Sequence, residues 1–522
     1  MRRFNITGIC YPNKHYMVDI SDRLSKIESL VEIGQYITIN RGRQYGKTTT
    51  LFHLANRLSD KYVVFYFSIE DFTEKEYKNI NALSYAFLKE MKEQIYSPTL
   101  KNATDFLKNS LVDIVKHNSE KKEIDLDDFS DFIGAICADS PKPIVLIIDE
   151  FDSASNYDSF VEFLRMLRKK FLNRVIRPTF QSVILAGVYD IKNLKLKVRP
   201  ESEHQYNSPW NIAEKFDEKM AFSVEQISQM LSDYENDHKT GMNLNEISSL
   251  IYDYTSGYPL LTSKICKLID EENLGWNKEG VEKSVKMLLK ENNTFFDDLV
   301  KKLDDFSEIK IMLKDILYYG KSFTYNPDNK VLNIAKMFNY IFENNGRVKV
   351  SNRIIEMRLY NIFLSDEELT SVTYREGQTV KSQFIENGEL KMDKILERFA
   401  VHFNDIYGSQ DVTFKEEEGR RFFMLYIRPI INGTGNYYIE AETRDRSRTD
   451  MIIDYLGKQY LIEMKIWRGD SYNERSEKQL SEYLDYYHIN KGYMLSFCFN
   501  KNKVSGTKII KFGEKEILEV VV

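Results

Sequence analysis

At 522 residues the chain is long enough for about three to four domains, and its 42% hydrophobic and 29% charged residues exclude a disordered or fibrous protein. A formal net charge of -6 excludes a protein that coats nucleic acid by overall basicity, so any such contact must come from local basic patches. Cys10, Cys137, Cys266 and Cys498 lie far apart with no CxxC pair, which excludes a disulfide framework or cysteine zinc site and fits a reducing cytoplasm.

Met1-Arg2-Arg3-Phe4-Asn5 leads into no apolar core, which argues against a signal peptide. No stretch approaches about 18 consecutive apolar residues, so no membrane-spanning helix is expected. The first third alternates strand-like and helix-like runs. Strands are expected at Tyr36–Asn40, Tyr62–Phe67, Ile144–Ile148 and Gln181–Ala186, with a helix at Thr48–Leu58. Ile144-Val145-Leu146-Ile147-Ile148 is continuously apolar, as a strand buried on both faces must be. Such alternation implies a parallel sheet with helices on both faces.

From Ser223 to Asn293 the apolar spacing is helical. A winged-helix-like segment follows. It has helices at Glu308–Tyr318 and around Ile334–Met337, then a hairpin whose arms, Tyr340–Phe342 and Arg347–Val350, flank Asn344-Asn345-Gly346. The chain turns polar and irregular from 366 to 392, which suggests a linker. A helix at Lys394–Ile406 opens the last domain, which later carries a helix around Ser476–Tyr487 and a strand at Gly492–Phe499. The expected division is a P-loop core at 1–220, a helical lid at 221–293, a winged-helix-like region at 294–365, a linker at 366–392 and a restriction-endonuclease-like α/β domain at 393–522.

Asn40-Arg41-Gly42-Arg43-Gln44-Tyr45-Gly46-Lys47-Thr48-Thr49 stands between a strand and a helix, the context a phosphate loop requires. The helix start offers free amides and a positive dipole end to phosphate oxygens. Gly46 lets the backbone approach, Lys47 reaches the β- and γ-phosphates, and Thr48 can bind Mg²⁺. Arg41 stands where the usual first glycine would, with Gly42 one residue later, so the loop entrance differs. Arg41, Gly42, Gly46, Lys47, Thr48, Thr49, Asp149 and Pro259 form the expected ATP-binding set.

Asp149-Glu150 ends the Ile144 strand, where ligands of parallel sheets bind. Asp149 is expected to hold Mg²⁺ with Thr48, and Glu150 to orient or deprotonate the attacking water. Beyond Gly187, Tyr189 or Asp190 could sense the γ-phosphate, with an ordinary turn as the alternative. Ser256-Gly257-Tyr258-Pro259 resembles the Gly-x-Pro motif that contacts the base in signal-transduction and origin-recognition ATPases, and a capping turn stands beside that reading. Arg165, Arg168, Arg174 and Arg177 are arginine-finger candidates by position alone, against solvated helix arginines.

The second chemical signal runs from Arg448-Thr449-Asp450 to Glu463-Met464-Lys465. It suggests two strands joined by a type II′ turn at Gly457-Lys458, with Leu456 opposite Gln459 and Asp450 opposite Lys465. Glu463 and Lys465, two apart, share a face, and Asp450 converges on it. Asp450 and Glu463 are hard ligands for Mg²⁺, with Mn²⁺ as a substitute, and Lys465 can orient a metal-activated water. Leu461, Ile462, Met464 and Ile466 make the strand apolar, so carboxylates at its end need a reason. Gln479 is a further catalytic candidate. Glu418, Glu440 and Glu442 are weaker ligands by position, and Arg444, Arg446 and Arg448 could meet phosphates or solvent.

Together the residues Val18-Asp19, the Ile39–Thr48 run, Ile148-Asp149-Glu150-Phe151-Asp152, Arg448-Thr449-Asp450 and Glu463-Met464-Lys465 make the chain resemble the bacterial AAA-ATPase-like family that is often joined to a C-terminal PD-(D/E)XK nuclease-like domain. The resemblance implies an ATP-driven switch coupled to a metal-dependent nuclease acting on nucleic acid, DNA first, in defence or mobile-element biology. It leaves a homo-oligomer open. The alternative is a non-cleaving ATP-dependent scaffold whose C-terminal domain only grips nucleic acid or a protein partner.

Overall fold

The computed structural model describes residues 2–188, 210–291, 293–319, 321–368, 371–407, 416–431, 435–438, 451–466, 470–498 and 506–522. The chain divides into two compact units, Met1–Tyr252 with Gly257–Val281, and Asp253–Ser256 with Glu282–Val522. No helix among the described residues is long and apolar enough to cross a membrane.

The first unit opens with two short parallel strands, β1 (Arg3–Phe4) and β2 (His15–Tyr16). Its main sheet contains β3 (Ile37–Asn40), β4 (Val63–Ser68), β5 (Ile144–Asp149), β6 (Ser182–Gly187) and β7 (Glu214–Lys215). These run parallel in the order β4-β5-β6-β3-β7. β5 and β6 are buried along their whole length, which is why their sequences do not alternate. The expected alternation omits helices Glu74–Lys78, Ile80–Glu93, Asp105–His117 and Leu126–Asp139, which lie between β4 and β5. They share one apolar core with the sheet through residues such as Phe87, Leu107 and Phe129. The helical stretch after residue 223 begins with Val224–His238, whose Ser223 and Gln226 form a reciprocal cap.

In the second unit the expected hairpin forms as β8 (Ile341–Asn344) and β9 (Arg347–Val350). Its turn residues Asn345 and Gly346 have φ of 50° and 77°, the left-handed pair of a type I′ turn. Residues 366–392 are more than a polar connection. They include the helix Val372–Val380 and the small hairpin of β10 (Ile385–Glu386) and β11 (Glu389–Leu390). Val380, Phe384 and Leu390 are buried in the same core as the C-terminal sheet.

That sheet is built from β12 (Gly435–Tyr438), β13 (Met451–Tyr455), β14 (Lys458–Ile466), β15 (Lys491–Phe497), β16 (Gly506–Phe512) and β17 (Lys515–Val521). The order is β12-β13-β14-β15-β17-β16, with β14, β15 and β17 mutually parallel. The β13–β14 register corrects the expected one: Tyr455 faces Lys458 and Met451 faces Ile462. The turn is Leu456-Gly457, with φ of 51° and 83°, so it is type I′ rather than type II′. The offset from the expected pairing is two residues, so every side chain keeps its face.

Candidate functional site

β3 delivers the chain to the phosphate loop, and the helix Lys47–Leu58 leaves it. Gln44 and Gly46 take φ of 61° and 78°, which turns the loop around the helix start. Lys47 Nζ donates to the carbonyls of Arg41 and Gly42 at 3.1 and 3.2 Å, so the ammonium sits inside the loop's curve. Thr48 Oγ1, in the first turn of that helix, donates to Asp149 Oδ2 at the end of β5 at 2.7 Å, although β6 stands between β3 and β5. The two residues expected to share Mg²⁺ are therefore side by side.

Asp149 is buried, and its Oδ1 accepts the Glu150 amide at 2.9 Å. Burial pushes its carboxyl above the usual range, against the Thr48 hydrogen bond and the Lys47 charge. Glu150 has φ of 53° and lines the cleft, and burial raises its carboxyl too, again opposed by Lys47. Gly187 lies where Asp152 crosses to the end of β6 and accepts the Val188 amide at 2.9 Å. A Cβ there would collide with the Asp152 carboxylate and lie 2.8 Å from the Phe151 ring.

The loop floors a cleft of about 330 Å³. Its lining combines the polar Lys47, Thr48, Thr49, Glu70 and Glu150 with the apolar Ile6, Val18, Ile20, Met230, Pro259 and Leu260. Pro259 reaches the cleft because Gly257, at φ 73°, passes so close to Phe222 that a Cβ would collide with its carbonyl. Tyr258 then donates to the Arg43 carbonyl at 2.6 Å, tying this turn to the phosphate loop.

Sequence reasoning missed the N-terminal wall. The Cys10 amide donates to Thr49 Oγ1 at 3.2 Å, and the Cys10 carbonyl meets His53 Nε2 at 2.8 Å. Farther along, Tyr16 donates to Asp237 at 2.9 Å and Arg2 pairs with the same carboxylate at 3.0 Å. Residues 2–20 are thus fastened to both the phosphate-loop helix and the helix Val224–His238. Val18-Asp19 marked this region without revealing its role. Arg23 was also missed: it lines the cleft and donates to Thr50 Oγ1 and the Met220 carbonyl at 3.3 and 3.2 Å.

Other expected residues fall elsewhere. The Arg41 guanidinium turns to Asp217 and the Glu218 carbonyl, at 3.2 and 2.8 Å. Arg165, Arg168, Arg174 and Arg177 are not among the cleft's lining residues. Arg174 instead donates to the Gly34 carbonyl at 2.8 Å, before the start of β3 and so at the opposite end of that strand from the loop. Tyr189 and Asp190 lie outside the described residues.

In the second unit, Asp450, Glu440, Glu442, Arg444, Arg446 and Arg448 lie outside the described residues. Glu463 and Lys465 share one face of β14, only 7% and 2% exposed. They stand beside Met494 and Ser496 of β15. Ser496, fully buried, donates to Glu519 Oε1 on β17 at 2.6 Å. The helix Asp470–Tyr486 covers this face: Leu480 and Leu484 close over Gly492, which is in phase with Met494 and Ser496. On that helix Glu477 is buried, one turn before Leu480, and Gln479 is half-buried. Asp454 shares the Glu463 face through its pairing with Gln459, but it is neutralised by Lys286 at 2.6 Å. Glu418 belongs to the helix Glu416–Ile431, whose Gly419 abuts Phe497 on the opposite face. Among the described residues no three His, Cys, Asp or Glu come together as a metal cage.

No protein-family model matches the chain, and no curated protein matches it. Solved structures similar to it include the Walker-type ATPase of Pyrococcus abyssi, at 13% identity and TM-score 0.46, covering 68% of this chain and 99% of that one. The ORC2 protein of Aeropyrum pernix, solved as ADPNP-ADP complexes, matches at 12% identity and TM-score 0.40 over 70% and 97% of the two chains. Cdc6p of Pyrobaculum aerophilum matches at 13% identity and TM-score 0.34 over 70% and 97%.

Proposed function

We propose that the first unit binds and hydrolyses ATP with Mg²⁺, and that the second cleaves nucleic-acid phosphodiesters with Mg²⁺ or Mn²⁺. The observation that carries the first half is the 2.7 Å bond between Thr48 and Asp149 beside the Lys47 ammonium. Two hard oxygens meet there at the positive end of a helix, the donor chemistry that suits Mg²⁺ with a triphosphate. In this reading Lys47 and the loop amides hold the β- and γ-phosphates, and the apolar lining side chains Val18, Met230 and Pro259 take the base. Glu150, its carboxyl raised by burial, accepts a proton from the attacking water.

For the second half the support is the buried Glu463–Lys465 pair on a sheet face. Two apart on one strand face, they set a hard oxygen ligand beside a cation, the donor chemistry a metal-activated water needs. Asp450 stands immediately before β13, whose first residue faces Ile462. We assign Asp450 and Glu463 as metal ligands, with Lys465 and Gln479 orienting the water. A divalent cation bound at either site supplies charge neutralisation and a polarised phosphoryl oxygen.

The second reading, a nucleotide-dependent scaffold that grips without cutting, draws on Lys465 being 2% exposed beneath a helix. Plasmid and radiolabelled ATP incubated with Mg²⁺ or Mn²⁺ separate the two. Cleavage lost in Glu463→Ala, with ATP turnover kept, supports the nuclease. ATP turnover without cleavage in the intact protein leaves the scaffold, and absence of ATP binding removes both.

A further inference from the structure

The chain's net charge of -6 hides a strongly basic segment. Arg165, Arg168, Lys169, Lys170, Arg174 and Arg177 place six cations within residues 165–177, and the segment holds no Asp or Glu. It comprises the last two turns of the helix Asp158–Leu172 and the turn after it. Two of the six have structural work: Arg174 binds the Gly34 carbonyl and covers the Phe171 ring, and Lys170 is half-buried. Arg165, Lys169 and Arg177 are exposed and make no ion pair among the described residues. Between them project Leu172, Val175 and Ile176, exposed to 62%, 93% and 83%. Ile33, 70% exposed, stands next to the Gly34 that Arg174 holds.

We propose that residues 165–177 form a docking surface for the nucleic-acid backbone. The surface lies toward the amino-terminal ends of the strands, away from the phosphate loop, because the helix leads from the carboxyl end of β5 back toward the start of β6. Charge complementarity identifies the partner as a polyanion. Four of the six cations are arginines, whose planar fork matches phosphate. A lipid surface fits less well, since it takes up a sustained apolar helix face. Here that face, with Phe160, Phe163, Leu164 and Leu167, is already buried in the core. The three aliphatic side chains left outside are enough to press against sugars or a groove wall while the arginines take phosphates. This inference goes beyond the two catalytic readings and requires neither.

The test uses the full chain and a fluorescent DNA duplex, with a single strand of the same sequence beside it, titrated across a salt series. Arg165→Gln/Lys169→Gln/Arg177→Gln is expected to weaken binding at least about tenfold at moderate salt. The log–log salt slope should fall by about 2–3, close to one per lost phosphate contact. Val175→Ser/Ile176→Ser should weaken binding with the slope unchanged. Melting temperature and ATP affinity should stay at wild-type values in both variants. An unchanged affinity and slope in the triple variant overturns the proposal, as does a wild-type protein that binds neither DNA form. It is equally overturned if phosphatidylserine vesicles bind the wild type more tightly than DNA and the triple variant loses that binding. Glu463→Ala in the same assay keeps the two ideas apart: cleavage lost with binding retained touches only the nuclease reading.

Discussion

The two units solve the problem of placing charge in different ways. In the first, Lys47 and Thr48 line the floor of a cleft at the end of the sheet, Lys47 donating to loop carbonyls and Thr48 to Asp149 at the end of β5. In the second, Glu463, Lys465 and Glu519 sit within strands, on a sheet face roofed by a helix. The contrast separates access from polarity. A strand-end site is open to a ligand and gains its electrostatics from helix dipoles. A mid-sheet site is dry, so each charge there acts in a low dielectric and costs more to leave without compensation.

The sharpest way to break the comparison is to remove one key charge from each side. Glu463→Ala should bring metal-dependent cleavage down by at least about 10³-fold with ATP turnover unchanged, read by plasmid nicking. Lys47→Ala should weaken ATP binding by about 10²-fold or more in calorimetry, with DNA binding retained. Loss of both activities in either variant would show that the units do not act separately.

Glu150→Gln should lower ATP turnover by about 10²-fold while keeping affinity. Its carboxyl is raised by burial, so in the wild type protonation removes the base at a higher pH than an ordinary glutamate would. Turnover should therefore fall with decreasing pH above the usual carboxylate range, and that limb should be missing from the variant's pH profile.

Smaller effects test packing. Gly187→Ala drives a methyl into Asp152 and Phe151 and should cost about 1–3 kcal/mol, seen as a lower midpoint in urea. Ser496→Ala removes the donor to buried Glu519 and should cost about 1–3 kcal/mol by the same measurement. A neutral result at Ser496 would mean the sheet face is wetter than its burial implies.

The cleft was largely legible because its parts are local in sequence. A strand, a Gly-Lys-Thr loop and a helix specify one geometry, and Asp149 could be placed by the rule that ligands meet strand ends. Residues 6–20 were not legible, because their position depends on distant contacts to Thr49 and Asp237. On the second unit, two-residue periodicity put Glu463 and Lys465 on one face correctly. The register slipped because Leu456 takes a left-handed φ that its side chain disfavours, so Gly457 looked like the first turn residue. Residues 366–392 looked like a linker because their apolar residues are sparse, yet Val380, Phe384 and Leu390 are enough to anchor them.

The parallel pairing of β14 with β15 has a final consequence. Two neighbouring strands that point the same way cannot be joined by a tight turn, so the chain must travel back over the sheet between them. The helix Asp470–Tyr486 is that return path, and it passes over the side bearing Glu463 and Lys465. The shelter above these charges is therefore inherited from connectivity itself. Substitutions can loosen it, but none can delete it without dismantling the strand pair that carries the charges.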